Sequence, residues 1–321
     1  MKHTALKKIS VTLSVLLIMT SFLSGCGHDP DSQEMRKQKD YSSSKVSYLG
    51  PEGTYTQEAC ESFFMKKGEY IPFRTVPEAV EALTSGESDY AVIPQENTIG
   101  GAVTDYIDTL IDTPGVSMEG EVELPIRQNL LALPGTELSD IRTVYSHKQG
   151  IAQSKRWLEE NLPDAELVEV SSTAEGAKKV SKSKEKNCAA IASAGCARLY
   201  SLDILAENIQ KNDKNKTRFY VLSTQAPSHE KAERMAFIAS GSAEELPSLM
   251  TRISEQDLIL VTLHDRPLKT RLGEYHYVIE CAGGSYQDYE KLTRNSAFTF
   301  RFLGCFNVKY ETAHQSHGYP T

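Results

Sequence analysis

From residue 45 onward, short apolar runs alternate with amphipathic stretches, the pattern of an α/β chain. Residues 46–49 predict a strand, and the turn Gly50-Pro51-Glu52-Gly53 passes it to a helix beginning near Thr56. Residues 89–94 predict a short buried strand. After it, Val103, Tyr106, Ile107, Leu110 and Ile111 recur at i, i+3, i+4, i+7 and i+8, one apolar helix face. A second α/β unit follows, with a strand at 141–145 and a helix at 149–162 carrying Ile151, Trp157, Leu158 and Leu162. Ser172 and Glu175 have capping-box spacing and open a helix toward Val180. Strands at 188–192 and 218–223 complete the unit. Two lobes with strands crossing back between them put a ligand cleft at the lobe boundary.

Residues 223–230, with Pro227, read as a linker. Beyond it the pattern gives strand 234–240, helix 243–256, strands 258–264 and 274–281, helix 286–293 and strand 298–306. This βαββαβ order is ferredoxin-like and suits a small regulatory domain. The domain boundaries expected are 45–224 for the two-lobed part and 232–308 for the C-terminal one, with a polar, fraying tail at 309–321.

The N-terminus has a different character. Lys2, Lys7 and Lys8 precede an apolar stretch from 9 to 23 that is short for a membrane-spanning helix and ends in Leu23-Ser24-Gly25-Cys26. The three features together match a bacterial lipoprotein signal. The expectation is a cleaved leader of residues 1–25, a lipidated Cys26 and a polar tether over 26–44, leaving the protein anchored on the extracytoplasmic face of the cell membrane.

The chain of 321 residues carries a formal net charge of −8. Losing the leader strips three lysines and no acid, so the remainder is more acidic still. With no dense basic stripe, that balance excludes non-specific nucleic-acid binding. It also means that any anionic substrate needs a local pocket of cations or N–H groups. Beyond Cys26 the cysteines Cys60, Cys188, Cys196, Cys281 and Cys305 lack CxxC spacing and a histidine cluster, which argues against zinc and reads as small buried hydrophobes.

Four polar motifs carry the chemistry. They are Gly50-Pro51-Glu52-Gly53-Thr54, Pro94-Gln95-Glu96-Asn97-Thr98, Ser146-His147 with Gln153 after it, and Thr217-Arg218-Phe219 preceded by Asn215. Taken singly, the first is a common tight turn, Ser146 an ordinary helix N-cap, and His147 has no readable partner. In joint order and spacing they resemble prephenate dehydratase, across most of residues 46–222. The resemblance implies a two-lobed fold like type-2 periplasmic binding proteins and a reaction that needs no metal, nucleotide or redox cofactor. It implies Thr217 as the hydroxyl that assists departure of the 4-hydroxyl of prephenate, and Asn97, Ser146, Gln153, Glu96, Thr54 and Arg218 as substrate-binding residues. Ser146 and Gln153 match the substrate-contacting pair at the family's Ser-His-x-Gln helix start. This sequence departs from the pattern at Gln128, where histidine is usual, and at Lys148, where proline is usual.

The C-terminal unit resembles an ACT domain, which in this family binds phenylalanine at a subunit interface. Of its two signatures, His264-Asp265-Arg266-Pro267 keeps Arg266, and Glu244-Glu245-Leu246-Pro247 keeps Leu246. The lost glycine and the two carboxylates predict weak feedback inhibition at an otherwise ACT-like fold, with a homodimer or higher homo-oligomer expected. Arogenate in place of prephenate, or a lipid-anchored receptor for an aromatic acid, fits the same motifs; the hydroxyl of Thr217 favours chemistry over mere binding.

Overall fold

A computed structural model describes residues 39–311. The leader, Cys26 and most of the tether lie outside the described residues, and within them no helix is long and apolar enough to cross a membrane. In chain order the elements are β1 (Lys45–Leu49), α1 (Tyr55–Phe63), β2 (Glu69–Phe73), α2 (Val76–Thr84), β3 (Tyr90–Asn97), β4 (Gly101–Ala102), α3 (Thr104–Asp112) and β5 (Ser117–Pro125). Then come β6 (Asn129–Ala132), β7 (Thr143–Ser146), α4 (Lys148–Asn161), β8 (Glu166–Glu169), α5 (Thr173–Ser181), β9 (Cys188–Ala192), α6 (Ala194–Tyr200), β10 (Asp203–Ala206) and β11 (Lys216–Ser223). The C-terminal part holds β12 (Arg234–Ser242), α7 (Leu246–Glu255), β13 (Ile259–Pro267), β14 (Glu274–Ala282), α8 (Tyr286–Thr293), β15 (Thr299–Phe306) and β16 (Val308–Tyr310).

Three sheets result. The first lobe is ordered β16-β5-β11-β3-β1-β2, with the short β4 on β3. Its parallel β1, β2 and β3 are joined by helices, while β11 runs antiparallel between β3 and β5. The second lobe is ordered β10-β6-β9-β7-β8 and is likewise mixed. The chain passes between lobes twice, once after β5 and once before β11. The two crossings lie side by side: Ile126 N donates to Asn215 O at 2.9 Å and Ile209 N to Gln128 O at 2.8 Å. The third sheet, β13-β14-β12-β15, is antiparallel throughout and has the expected βαββαβ topology.

Local signals behave as their chemistry dictates. Thr75 accepts from Glu78 N and Pro77 sits in the first turn of α2, whose Val76, Ala79, Val80 and Leu83 are buried. Ser172 accepts from Glu175 N at the start of α5. Tyr106, Ile107 and Leu110 of α3 join one core with Ile93, Tyr220 and Leu222 of the first sheet and with Ala236, Ile238, Val278, Leu303 and Phe306 of the third. The C-terminal sheet therefore packs one face on the first lobe and the other on its own helices. Instead of fraying from Lys309, the chain continues as β16, parallel to β5, through Tyr310. The five described cysteines are free and buried.

Candidate active site

Two strand features bring Thr217 and Asn97 together. They lie directly opposite each other in the β3–β11 ladder. In β3, Ala91 and Ile93 face the C-terminal sheet, and so does Gln95, whose Nε2 donates to Tyr220 Oη at 2.7 Å. Strict alternation would send Asn97 to that same face. The register instead shifts between Arg218 and Phe219, so that Gln95 is an extra residue in β3. The bulge turns Glu96 toward the C-terminal sheet and re-aims Asn97 to the side of Thr217. The strand predicted over 89–94 thus runs on, bulged, to Asn97.

The amide of Asn97 has a forced orientation. Its Oδ1 accepts from Ile99 N at 3.0 Å and Gly100 N at 2.9 Å, and backbone N–H groups can only donate. Nδ2 must therefore point the other way, where it meets Thr217 Oγ1 at 2.9 Å, Asn215 Oδ1 at 2.9 Å and Lys216 O at 3.1 Å. Thr217 is an acceptor in this bond, and among the described residues its own proton has no acceptor. A hydroxyl held from behind, with its proton uncommitted, is poised to donate to a ligand. Thr217 itself is 9% exposed. Beside it Asn215 is buried, with Nδ2 unpaired among the described residues.

The second lobe reaches this pair through α4. Gln149 Nε2 donates to Asn97 Oδ1 at 3.3 Å across the boundary. Gln153, one turn on, accepts from Gln128 Nε2 at 3.1 Å, so the residue standing in for the family's histidine is tied to the helix expected to hold substrate. Gln128 also lies 3.4 Å from Tyr55 Oη, which donates to Arg127 O at 2.5 Å. Further contacts close the boundary at the first turn: Gly53 O accepts from Cys196 Sγ at 3.1 Å, and Tyr200 Oη donates to Glu52 O at 3.4 Å. Gly53 has φ +83°, and a Cβ there would sit 2.9 Å from Cys196 Sγ, so glycine is required twice over. Thr54 is the N-cap residue of α1, and its Oγ1 donates to Leu49 O at 3.3 Å.

Other sequence candidates lie elsewhere. Ser146 is fully buried and donates to Ile191 O at 2.8 Å, with Gly150 packed so closely that a Cβ there would come within 2.5 Å of its Oγ. The N-cap of α4 is His147, whose Nδ1 accepts from Gln149 N. Arg218 does not share the pocket of Thr217, because neighbours in a strand point to opposite faces. Its Nε and Nη2 form a paired contact with the buried Glu121 at 2.7 and 2.8 Å, and Nη2 also reaches Glu280 at 2.5 Å. Burial opposes the Arg218 charge, but the Glu121 hydrogen bond and the Glu280 carboxylate outweigh it and raise its pKa further. Glu96 joins from 3.7 Å on that reverse face. Arg266 forms a paired contact with Asp108 of α3 at 2.6 and 2.8 Å, and Leu246 packs into the core of the C-terminal unit.

Sequence reasoning passed over Gln149, Asn215 as a participant, and Glu58. Gln149 was findable, since it is itself the glutamine of Ser-His-x-Gln. On α1, burial pushes the Glu58 carboxyl up to about 7, against the pull of the Arg198 and Arg127 guanidiniums. Two cations thus act near the lobe boundary, while Arg218 is committed to other carboxylates.

This geometry can be set beside known proteins. The family described as Prephenate dehydratase matches residues 46–227. A prephenate dehydratase of Bacillus subtilis strain 168 is 34% identical over 249 residues, covering 74% of this chain and 87% of that protein. Among solved structures, a prephenate dehydratase in complex with L-Phe from Arthrobacter aurescens superposes with a TM-score of 0.72 at 29% identity, covering 82% of this chain and 90% of that one. The enzyme from Staphylococcus aureus subsp. aureus Mu50 gives 0.71 at 26% identity, over 82% of this chain and 100% of that one. By matched length and by the motifs that build the site, the chain belongs to the prephenate dehydratase family.

Proposed function

We propose that the chain dehydrates and decarboxylates prephenate to phenylpyruvate, a step of aromatic amino acid biosynthesis, with Thr217 as the proton donor to the departing 4-hydroxyl. The observation that carries the assignment is the forced orientation of Asn97, which leaves the Thr217 proton free. In the reaction the bond from the ring to its carboxylate breaks, and its electron pair enters the ring as carbon dioxide leaves. The C4–O bond breaks in turn, and the departing oxygen takes the threonine proton to leave as water. Aromatisation drives the change. A positioned donor contributes roughly 10²–10⁴ in rate. The Asn97 Nδ2–H aimed at Oγ1 stabilises the charge that builds there until solvent returns a proton.

The C-terminal unit is read as an ACT-like regulatory domain and dimer contact, a reading supported by its βαββαβ topology and by the L-Phe bound to the Arthrobacter relative. The retained Arg266 pairs with Asp108 of its own chain, which supports weak inhibition by phenylalanine. The N-terminal segment is read as a lipoprotein signal with Cys26 as the lipid attachment point on the extracytoplasmic side, on the strength of its lysines, apolar run and Leu23-Ser24-Gly25-Cys26.

The test uses protein starting at residue 27, offered prephenate or arogenate. Phenylpyruvate formed faster from prephenate supports the assignment. Faster conversion of arogenate to phenylalanine changes the substrate, and tight binding of an aromatic acid without turnover makes the protein a receptor. Lipid labelling of the full chain, lost in Cys26→Ala, tests the anchor separately.

A further inference from the structure

The C-terminal sheet reaches the back of the active-site strand through one carboxylate. Glu280, two residues from the end of β14, is fully buried. Its Oε1 lies 2.5 Å from Arg218 Nη2 and 2.9 Å from Arg234 Nε, and its Oε2 accepts from Tyr220 Oη at 2.5 Å. Arg218 and Tyr220 are consecutive same-face residues of β11, the strand whose opposite face presents Thr217. Glu280 therefore grips that strand at two points, one on each side of Phe219. Through Gln95, which donates to the same Tyr220 oxygen, the grip extends to the bulge that aims Asn97.

We propose that Glu280 is a positioning residue for the dehydration: holding Arg218 and Tyr220 from behind, it fixes the bulged β3–β11 pairing and so keeps the Thr217 hydroxyl opposite Asn97. The inference rests on Thr217 being the proton donor. Three features separate this role from simple domain docking. The ladder pairs Glu96 with Arg218 immediately beside Asn97 with Thr217, so a slip at the first pair is transmitted to the second. Docking has other means, since Arg301 of β15 donates to the carbonyls of Leu110 and Ile111 at the end of α3. The bare face of the sheet also supplies a broad apolar contact. A buried carboxylate costs desolvation that apolar packing would avoid, so its presence there calls for a role beyond adhesion.

The experiment measures steady-state turnover of prephenate by the full chain and by Glu280→Gln, Glu280→Asp and Arg301→Gln, each with a melting temperature. Misplacing a reacting group by about 1 Å costs up to about 10²-fold. Glu280→Gln is expected to lower kcat about tenfold or more with KM within about twofold, because the loss falls on the donor rather than on ground-state binding. Glu280→Asp keeps the charge on a shorter arm and recovers part of that loss. Arg301→Gln melts lower with kcat kept. Wild-type kcat in Glu280→Gln overturns the proposal, and so does a loss of kcat that Arg301→Gln shares in proportion to its melting temperature. If Glu280→Gln does not fold, Glu280→Asp decides: reduced kcat at unchanged KM supports the role, and full kcat overturns it. Absence of turnover by the wild-type chain would instead remove the dehydratase assignment, a result visible before any variant is made.

Discussion

Replacing Asn97 by aspartate exchanges an NH₂ for an oxygen and tests the direction of the hydrogen bond at Thr217. Oδ1 goes on accepting from Ile99 and Gly100 N–H. The other position becomes an oxygen facing Asn215 Oδ1, Lys216 O and Thr217 Oγ1, all acceptors in the native arrangement. Asn215 can rotate its amide to donate, and Thr217 can turn its proton inward; the Lys216 carbonyl can do neither. A hydroxyl bound to a carboxylate is held by about 1.5–3 kcal/mol. That bond must break before the proton can reach the leaving group, which lowers kcat by about 10- to 150-fold. The added charge also repels a dianionic substrate. For the nearer of its two carboxylates, at about 8 Å and an effective dielectric of about 20, the cost is about 2 kcal/mol, or about 30-fold in KM. Protonation of the new carboxyl restores a donor facing Thr217, so the defect shrinks as pH falls. Initial rates of phenylpyruvate formation relative to wild type, from about pH 5 to pH 8, measure all three effects. A kcat within about twofold of wild type at neutral pH, or a defect that does not shrink on acidification, would refute the reasoning.

Other expectations are simpler. Ser146→Ala strands the buried Ile191 carbonyl, so it should lower stability by about 1–3 kcal/mol in denaturant unfolding while leaving KM within about twofold; a large rise in KM with unchanged stability would make Ser146 a substrate contact. Burial, with the Glu280 carboxylate beside it, pushes the Glu121 carboxyl up to about 7, against Arg218 and Arg234. A raised carboxyl stabilises the fold below about pH 4.5, and that contribution is lost as pH rises through about 7. The groups acting on it are Glu280, Arg218 and Arg234, with Tyr220 beside them. The melting temperature of Glu121→Gln should therefore fall less than that of wild type between about pH 5 and pH 8, and an equal fall would contradict the assignment of that proton.

The site was legible in the sequence because its residues sit at element ends, where chemistry and turn residues coincide. Asn97, Thr217 and the start of α4 were each marked by a short polar string interrupting an apolar run. Arg218 was misread as a pocket cation because a motif gives adjacency in the chain, while a strand sends adjacent side chains to opposite faces. The bulge at Gln95 leaves no mark in a single sequence, yet it decides where Asn97 points. β5 was missed for a related reason: Glu119, Glu121 and Glu123 break up its apolar pattern, yet Glu121 is buried against Arg218. β16 was hidden by its brevity, since three residues have no period of their own. The C-terminal elements were read closely because each is a regular strand or an amphipathic helix. That their sheet shares a core with α3 depends on tertiary packing that no local pattern encodes.

The measurement that bears most directly on the central claim compares Thr217→Val with Thr217→Ser, in prephenate turnover followed as phenylpyruvate and carbon dioxide released together. Valine keeps the shape and removes the proton; serine keeps the hydroxyl. Loss of kcat by about 10²–10⁴ in the first, with activity within about tenfold of wild type in the second, is the predicted result. A valine variant that turns over prephenate at the wild-type rate would contradict the account.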